Sequence, residues 1–116
     1  MMDGQCPELA RLSVFDCLEQ ATFDEILICS PNDLDIKNSR WVKTPEWKTV
    51  TQCINFEWLV LPWHITTKFM LFCQWDAWII DASQWLNEFY EYDYIGAPWW
   101  YNDDYNVGCD RDWETT

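Results

Sequence analysis

One histidine, His64, and three glycines among 116 residues remove several chemistries at the outset. A lone imidazole cannot serve as base, orienting partner and metal ligand at once, so Ser/His/Asp and Cys/His catalytic sets have no support. No CxxC pair accompanies His64, and a cysteine/histidine zinc site is excluded with it. The glycines form neither GxGxxG nor GxxxxGK[ST], so the standard dinucleotide and P-loop readings fail. Cations are also scarce: 7 Lys plus Arg stand against 20 acidic residues, a net charge of -13. Such a surface repels phosphate backbones and anionic lipid, which argues against nucleic-acid and membrane-surface partners. A small anionic ligand remains compatible if a divalent cation neutralises both sides. No apolar run is long enough to span a bilayer, since Lys68 and Asp76 bracket the most hydrophobic one.

What is present is apolar and aromatic. Hydrophobic residues make up 49% of the chain and aromatics 18%, enough for one domain with a moderate core and too little for two. The ten tryptophans read either as core and rim packing or as a sugar-stacking surface. Six cysteines would suit a disulfide framework. However, Met1-Met2-Asp3-Gly4 has no secretory character, and Cys29 and Cys73 each end an apolar run as small buried hydrophobes. Reduced thiols and a cytoplasmic location are therefore expected.

Taken in order, Asp3-Gly4-Gln5-Cys6 reads as a loop. Pro7 and Glu8 suit a helix start, and Leu9, Leu12, Phe15 or Asp16, Cys17-Leu18 and Ala21 recur at helical spacing, which predicts a helix over 7–20. Glu25 to Ser30 predicts a buried strand closed by Pro31-Asn32-Asp33, and Arg40 to Lys43 a second short one. Thr49 to Gln52 has the form of a capping box. Behind it Val50, Cys53, Ile54, Trp58 and Leu61 share a helical face that Pro62 should end. Phe69 to Cys73 predicts a strand buried on both faces. Asp81 or Ser83 should cap a brief helix in which Trp85 and Phe89 pack inward. Gly96 and Pro98 mark a bend, and Tyr101 to Thr116 is acidic with little apolar period. Alternating strands and helices give an α/β fold with a parallel sheet.

Three places could carry chemistry. Gln74 and Asp76 stand at the carboxyl end of the Phe69 strand, where open α/β sheets place ligands. Two apart on an extended segment, they would share a side and could hold a divalent cation through oxygen. The alternative is a loop carboxylate capping backbone. The loop Asp3, Gly4 and Gln5, beside the start of the Pro7 helix, could approach a phosphate, or could be an ordinary turn. The aromatic stretch Asp93 to Trp100 could line a cleft, with Trp99 and Trp100 stacking on a sugar, or could be core packing.

At these residues the sequence resembles a known family. FCQWDAWIIDASQWLNEFYEYDYIGAPWW, with DGQCPELARLSVFDCLEQATFDEILICSPNDLD and VKTPEW before it, looks like the domain of unknown function 5672 family, over most of Met1 to Gly108. EYDYIGAPW is the specific part. That family is grouped with A-type glycosyltransferases, so the resemblance implies a Rossmann-like, mostly parallel sheet with flanking helices. It implies that Asp76, with Gln74, takes the role of the DxD that binds metal (manganese or magnesium) and nucleotide-sugar, and that Asp3, Gly4 and Gln5 approach the nucleotide. The implied partners are a nucleotide-sugar and a glycan acceptor.

Two departures qualify the expectation. Only Met1-Met2 precede Asp3 where the family has a full first strand. After Asn106-Val107-Gly108, Cys109-Asp110-Arg111-Asp112-Trp113 replaces the family's Asn-Gly-Gly-Phe-Ser-Leu-Arg. The expected organisation is thus one partial α/β domain over 1–108 and a divergent tail over 109–116. On this expectation the chain resembles a truncated donor-binding half, able to bind a donor without completing transfer. No catalytic base is assigned. A non-enzymatic carbohydrate- or protein-binding module using the aromatic surface is the alternative, and a missing edge strand would favour self-association through an open sheet edge.

Overall fold

The computed structural model describes residue 2 and residues 6–96. It divides into two compact units, Met1–Trp85 and Leu86–Thr116. The first is a small α/β unit of two helices and two parallel strands.

Helix α1, Pro7–Gln20, opens on Pro7, whose missing N–H costs nothing in a first turn, with Glu8 beside it. Its bounds match the expected 7–20. Its buried face does not. Ala10, Ser13, Val14 and Cys17 turn inward, while Leu12 stays 58% exposed and Leu9 and Phe15 are also exposed. Small side chains let the helix lie close on the sheet, and the larger ones, a third of a turn away, are left outside.

Strand β1, Ile26–Ser30, pairs in parallel with β2, Ser39–Lys43, in the register Ile28 with Trp41. The connection over 31–38 contains no helix, which is short for a parallel crossover. Three devices make it possible. Asp33 Oδ1 accepts the Asp35 N–H at 2.9 Å, and Arg11 of α1 donates to the carbonyls of Leu34 and Asp35. Asp35 and Asn38 also take positive φ of 52° and 62°, the left-handed region that short polar side chains tolerate.

Thr49 caps helix α2, Val50–Leu59, accepting the Gln52 N–H at 3.3 Å, while Gln52 Oε1 accepts from the Lys48 N–H at 2.8 Å. The capping box is therefore present with its return bond one residue early. The chain leaves α2 through a 3-10 turn, Leu61–His64, with Pro62 at its start. Phe56 and Leu61 are the buried anchors here. Val50, Ile54 and Trp58 lie exposed, Trp58 at 70%, contrary to the face the spacing suggested.

Side-chain alternation along β1 separates two cores. Ile28 joins Ala10, Val14, Leu34 and Ile36 on the α1 face. Cys29 joins Met2, Phe56 and Leu61 on the α2 face. The sheet is thus covered on both sides, α1 with the 31–38 crossover on one and α2 on the other.

The run Phe69 to Cys73 is not a strand buried on both faces. Its contribution to pairing is a single parallel bridge from Gln74 to Met2, and Phe69, Met70, Leu71 and Phe72 are all exposed. A ladder needs a neighbour along its length, and the described residues offer Met2 alone beside it. Met2 also bridges Cys29 in parallel. Across the sheet the order is therefore β2, β1, Met2, Gln74, all pointing the same way.

Beyond Gln74 the chain runs along α1. Ser13 Oγ donates to the Ala77 carbonyl at 2.5 Å, the Ile79 N–H donates to Cys17 Sγ at 3.4 Å, and the Ala82 N–H donates to Gln20 Oε1 at 3.3 Å. Positions 13, 17 and 20 form one stripe of the helix, so a row of polar atoms takes up the backbone groups of a segment that has no sheet partner. Asp81 caps a 3-10 turn, Ala82–Gln84, accepting the Ser83 N–H at 2.9 Å. The brief helix expected here is therefore present but shorter, and Trp85 follows it in extended backbone, half exposed. In the second unit, Phe89 lies in a separate 3-10 turn, Asn87–Glu91.

Candidate active site

The pairing of Met2 with Gln74 sets these two residues side by side on the sheet, each just ahead in the chain of one polar candidate stretch. Residues 3–5 follow Met2 in the chain, and Trp75-Asp76 follow Gln74. Met2 is itself buried, 3% exposed, and its N–H donates to the Cys73 carbonyl at 2.9 Å. Asp3, Gly4 and Gln5 lie outside the described residues, as do Trp99 and Trp100.

Gln74 and Asp76 do not converge on one target. The Ala77 N–H donates to the Gln74 carbonyl at 3.1 Å, so the chain turns at Gln74, and the two-residue alternation of an extended segment ends there. Gln74 Nε2 reaches the α2 side and donates to Glu57 Oε1 at 3.2 Å, an oxygen that also accepts from Cys53 Sγ at 3.7 Å. Asp76 instead lines a cavity of about 380 Å³ on the α1 side, with Leu9, Leu12, Ser13, Asp16, Trp75 and Trp78.

That cavity adds a residue that sequence spacing left ambiguous. Asp16 was an alternative to Phe15 on the helical face, and in the fold it shares the cavity with Asp76 while Phe15 lies under the Arg11 guanidinium, 5.6 Å from ring centroid to Cζ. The signal was available as the i, i+3, i+7 spacing of Leu9, Leu12 and Asp16.

The donor set is modest. Among the described residues, no group of three or more His, Cys, Asp or Glu could hold a metal. Magnesium and manganese in phosphate sites are commonly held by one or two carboxylates, with water and the ligand's own phosphates completing the sphere. Asp76 and Asp16 line the same cavity with no third such residue, so the described residues form no all-protein cage for a metal.

Around the site the thiols are structural. Burial, joined by the neighbouring Cys17 thiol to which it is hydrogen-bonded, pushes the Cys73 thiol up to about 11. Burial and then the adjacent Glu57 carboxylate push Cys53 up to about 11 as well. Raised values of this kind keep both thiols protonated and weakly nucleophilic near neutral pH. Cys17, Cys29, Cys53 and Cys73 carry no disulfide.

A clamp at the opposite end of the strands holds the frame. Glu25 accepts from Arg40 Nε at 2.5 Å and from Thr66 Oγ1 at 2.5 Å, and the same guanidinium donates to the His64 carbonyl. His64, the last residue of the 3-10 turn, thus contributes its backbone carbonyl. No helix among the described residues is long and apolar enough to cross a membrane.

No curated protein and no solved structure matches the chain. A family profile described as "Protein of unknown function (DUF5672)" matches residues 38–114, a span that takes in β2, α2 and Asp76, and the chain belongs to that family.

Proposed function

We propose that this chain is a glycosyltransferase-like domain, with a Rossmann-like sheet, that binds a nucleotide-sugar together with a divalent metal at the edge marked by Asp76. The carrying observation is that Met2 pairs in parallel with both Cys29 and Gln74. Numbered along the chain, the extended pieces then lie in the order 3-2-1-4, with covering elements on opposite faces of the sheet. In open α/β sheets, ligands bind outside the carboxyl ends of the strands at the point where this order reverses, here between Met2 and Gln74. The residues next in the chain after each of those are 3–5 and Trp75-Asp76.

The roles follow from chemistry. A nucleotide diphosphate approaching a chain of net charge -13 needs its charge offset, and Asp76 supplies the carboxylate to hold a bridging cation. A bound magnesium or manganese would supply Lewis-acid help to the departing diphosphate. Helix α1 begins at Pro7, after residues 3–5, so its N-terminal dipole favours phosphate at the same end. Asp3, Gly4 and Gln5 form the nucleotide-facing loop in this reading. Gln74 acts by holding Glu57, which fixes the turn before Asp76. No residue is assigned as base, and transfer to an acceptor is not part of the proposal.

The test is thermal shift with UDP- and GDP-sugars, with and without manganese. A metal-dependent rise in wild type that disappears in Asp76→Ala supports the reading. No such rise, or an equal rise in Asp76→Ala, removes it.

A further inference from the structure

Helix α2 is apolar on both of its sides. Inward, Phe56 packs with Met2, Cys29 and Leu61, and the half-buried Cys53 lies against the same cluster. Outward, a surface helix normally turns charged and polar residues to water. Here the exposed half holds Val50, Thr51, Ile54, Asn55, Trp58 and Leu59, without one charge among them. The single acid of the helix, Glu57, stands on its flank and accepts from Gln74. Val50, Trp58 and Leu59 are 65%, 70% and 67% exposed, and Ile54 is exposed between them. Val50, Ile54 and Trp58 follow one another at intervals of four, which makes a ridge of the kind that packs helix on helix.

Area and charge together name the occupant. At these exposures the four apolar side chains leave roughly 500 Å² open, as large as the biggest patch on most monomers. A stable interface covers about 800 Å² of each partner, roughly three-fifths of it apolar, so the face supplies about the apolar area a dimer needs. Copies of a chain of net charge -13 repel wherever their acidic surfaces meet, and a face without charge is where they can close. The face also matches itself. With a two-fold axis at Ile54 and the helices antiparallel, Val50 of each copy meets Trp58 of the other, a smaller side chain against a larger one. Lys48, exposed just ahead of the helix, then approaches the carboxyl end of the other α2, where the helix dipole is negative. The last turn of α2 has no basic residue to oppose it.

We propose that the outward face of α2 is the interface of a symmetric homodimer, with Ile54 on its axis. The sheet is then layered between α1 on one side and a pair of α2 helices on the other. The dimer needs neither nucleotide nor metal, so it stands or falls separately from the nucleotide-sugar reading.

The experiment is sedimentation of the full chain over a dilution series, without ligand. Wild type should dimerise with a Kd of about 10 µM or tighter, within the range of interfaces of this size. Trp58→Ala, at an exposed position, should weaken association at least tenfold, as loss of a central tryptophan does. Ile54→Lys and Ile54→Glu should each be monomeric alone, because like charges meet on the axis, and mixing the two in equal amounts should restore the dimer. Recovery on mixing also shows that both variants are folded. A wild type that stays monomeric at about 100 µM would leave the face to another segment of this chain or to an unrelated protein, and would overturn the proposal. A dimer that Trp58→Ala and Ile54→Lys leave as tight as wild type would assign association to an open sheet edge and overturn it equally. So would two charged variants that fail to associate with each other.

Discussion

The backbone N–H of Met2 donates to the carbonyl of Cys73 at 2.9 Å, across 71 positions of sequence, and the same residue bridges Cys29 on its other side. One residue thereby joins the β1–β2 pair to the segment that leads into Asp76. Its side chain is buried with Cys29, Phe56 and Leu61. Met2→Ala removes that packing and should cost about 2 kcal/mol or more of unfolding free energy, read from urea denaturation. A change below about 0.5 kcal/mol, within the range of surface substitutions, would mean that Met2 does not hold the sheet as described.

Ser13 links α1 to the turn after Asp76 through its bond to the Ala77 carbonyl. Ser13→Ala removes the donor of that part-buried bond. A loss of about 1 kcal/mol is expected, with faster hydrogen exchange at residues 77–82 than in α2. Uniform acceleration over both regions would show that the seam along α1 is not a local fastening.

The Glu25 clamp sets a pH dependence. The Arg40 guanidinium, and then the Thr66 hydroxyl, hold the Glu25 carboxyl below its ordinary value of 4.5. A depressed folded value stabilises the ionised form, so the contribution is complete above 4.5 and is lost as pH falls through the lower folded value. The Tm of wild type should exceed that of Glu25→Gln at neutral pH, and the gap should close at acid pH. Because the pair is solvent-exposed, added salt should shrink the gap at neutral pH too. A gap independent of pH would assign the effect to packing instead.

Thiol reactivity offers a separate check on the fold. With Cys53 and Cys73 both raised to about 11, roughly one thiol in a thousand is ionised at pH 8. Alkylation mapped by mass spectrometry should be slow at both in the native protein and should rise sharply in denaturant. Rapid native labelling of Cys73 would contradict its half-buried place beside Cys17.

Local signals in the chain were strong enough to define α1, β1, β2 and the Thr49 cap, because each rests on residues within a few positions of one another. Pro7 opens a helix wherever it sits, and Ile26-Leu27-Ile28-Cys29 favours a strand in most contexts. Which face is buried is a tertiary decision, and there the spacing misled. Leu9, Leu12, Val50 and Trp58 look like core on a helical wheel, yet the sheet accepts Ala10, Ser13 and Phe56 instead. The run from Phe69 to Cys73 failed for a related reason. Its apolar composition specifies burial, but a strand also needs partners along its length, and those are non-local. Among the proposed site residues, Asp76 was legible as a carboxylate after an apolar run. Asp16 was legible only as a position on one face of α1, because its place beside Asp76 depends on the turn at Gln74 that folds the chain back over the helix.

The most direct measurement of the central claim uses manganese as a paramagnetic probe. In the presence of UDP, substoichiometric manganese should broaden the amides of residues 74–77 and 6–9 first, with Asp76→Ala abolishing the selectivity. Broadening spread over the acidic surface without preference, or an unchanged pattern in Asp76→Ala, would contradict a nucleotide and metal site at this edge of the sheet.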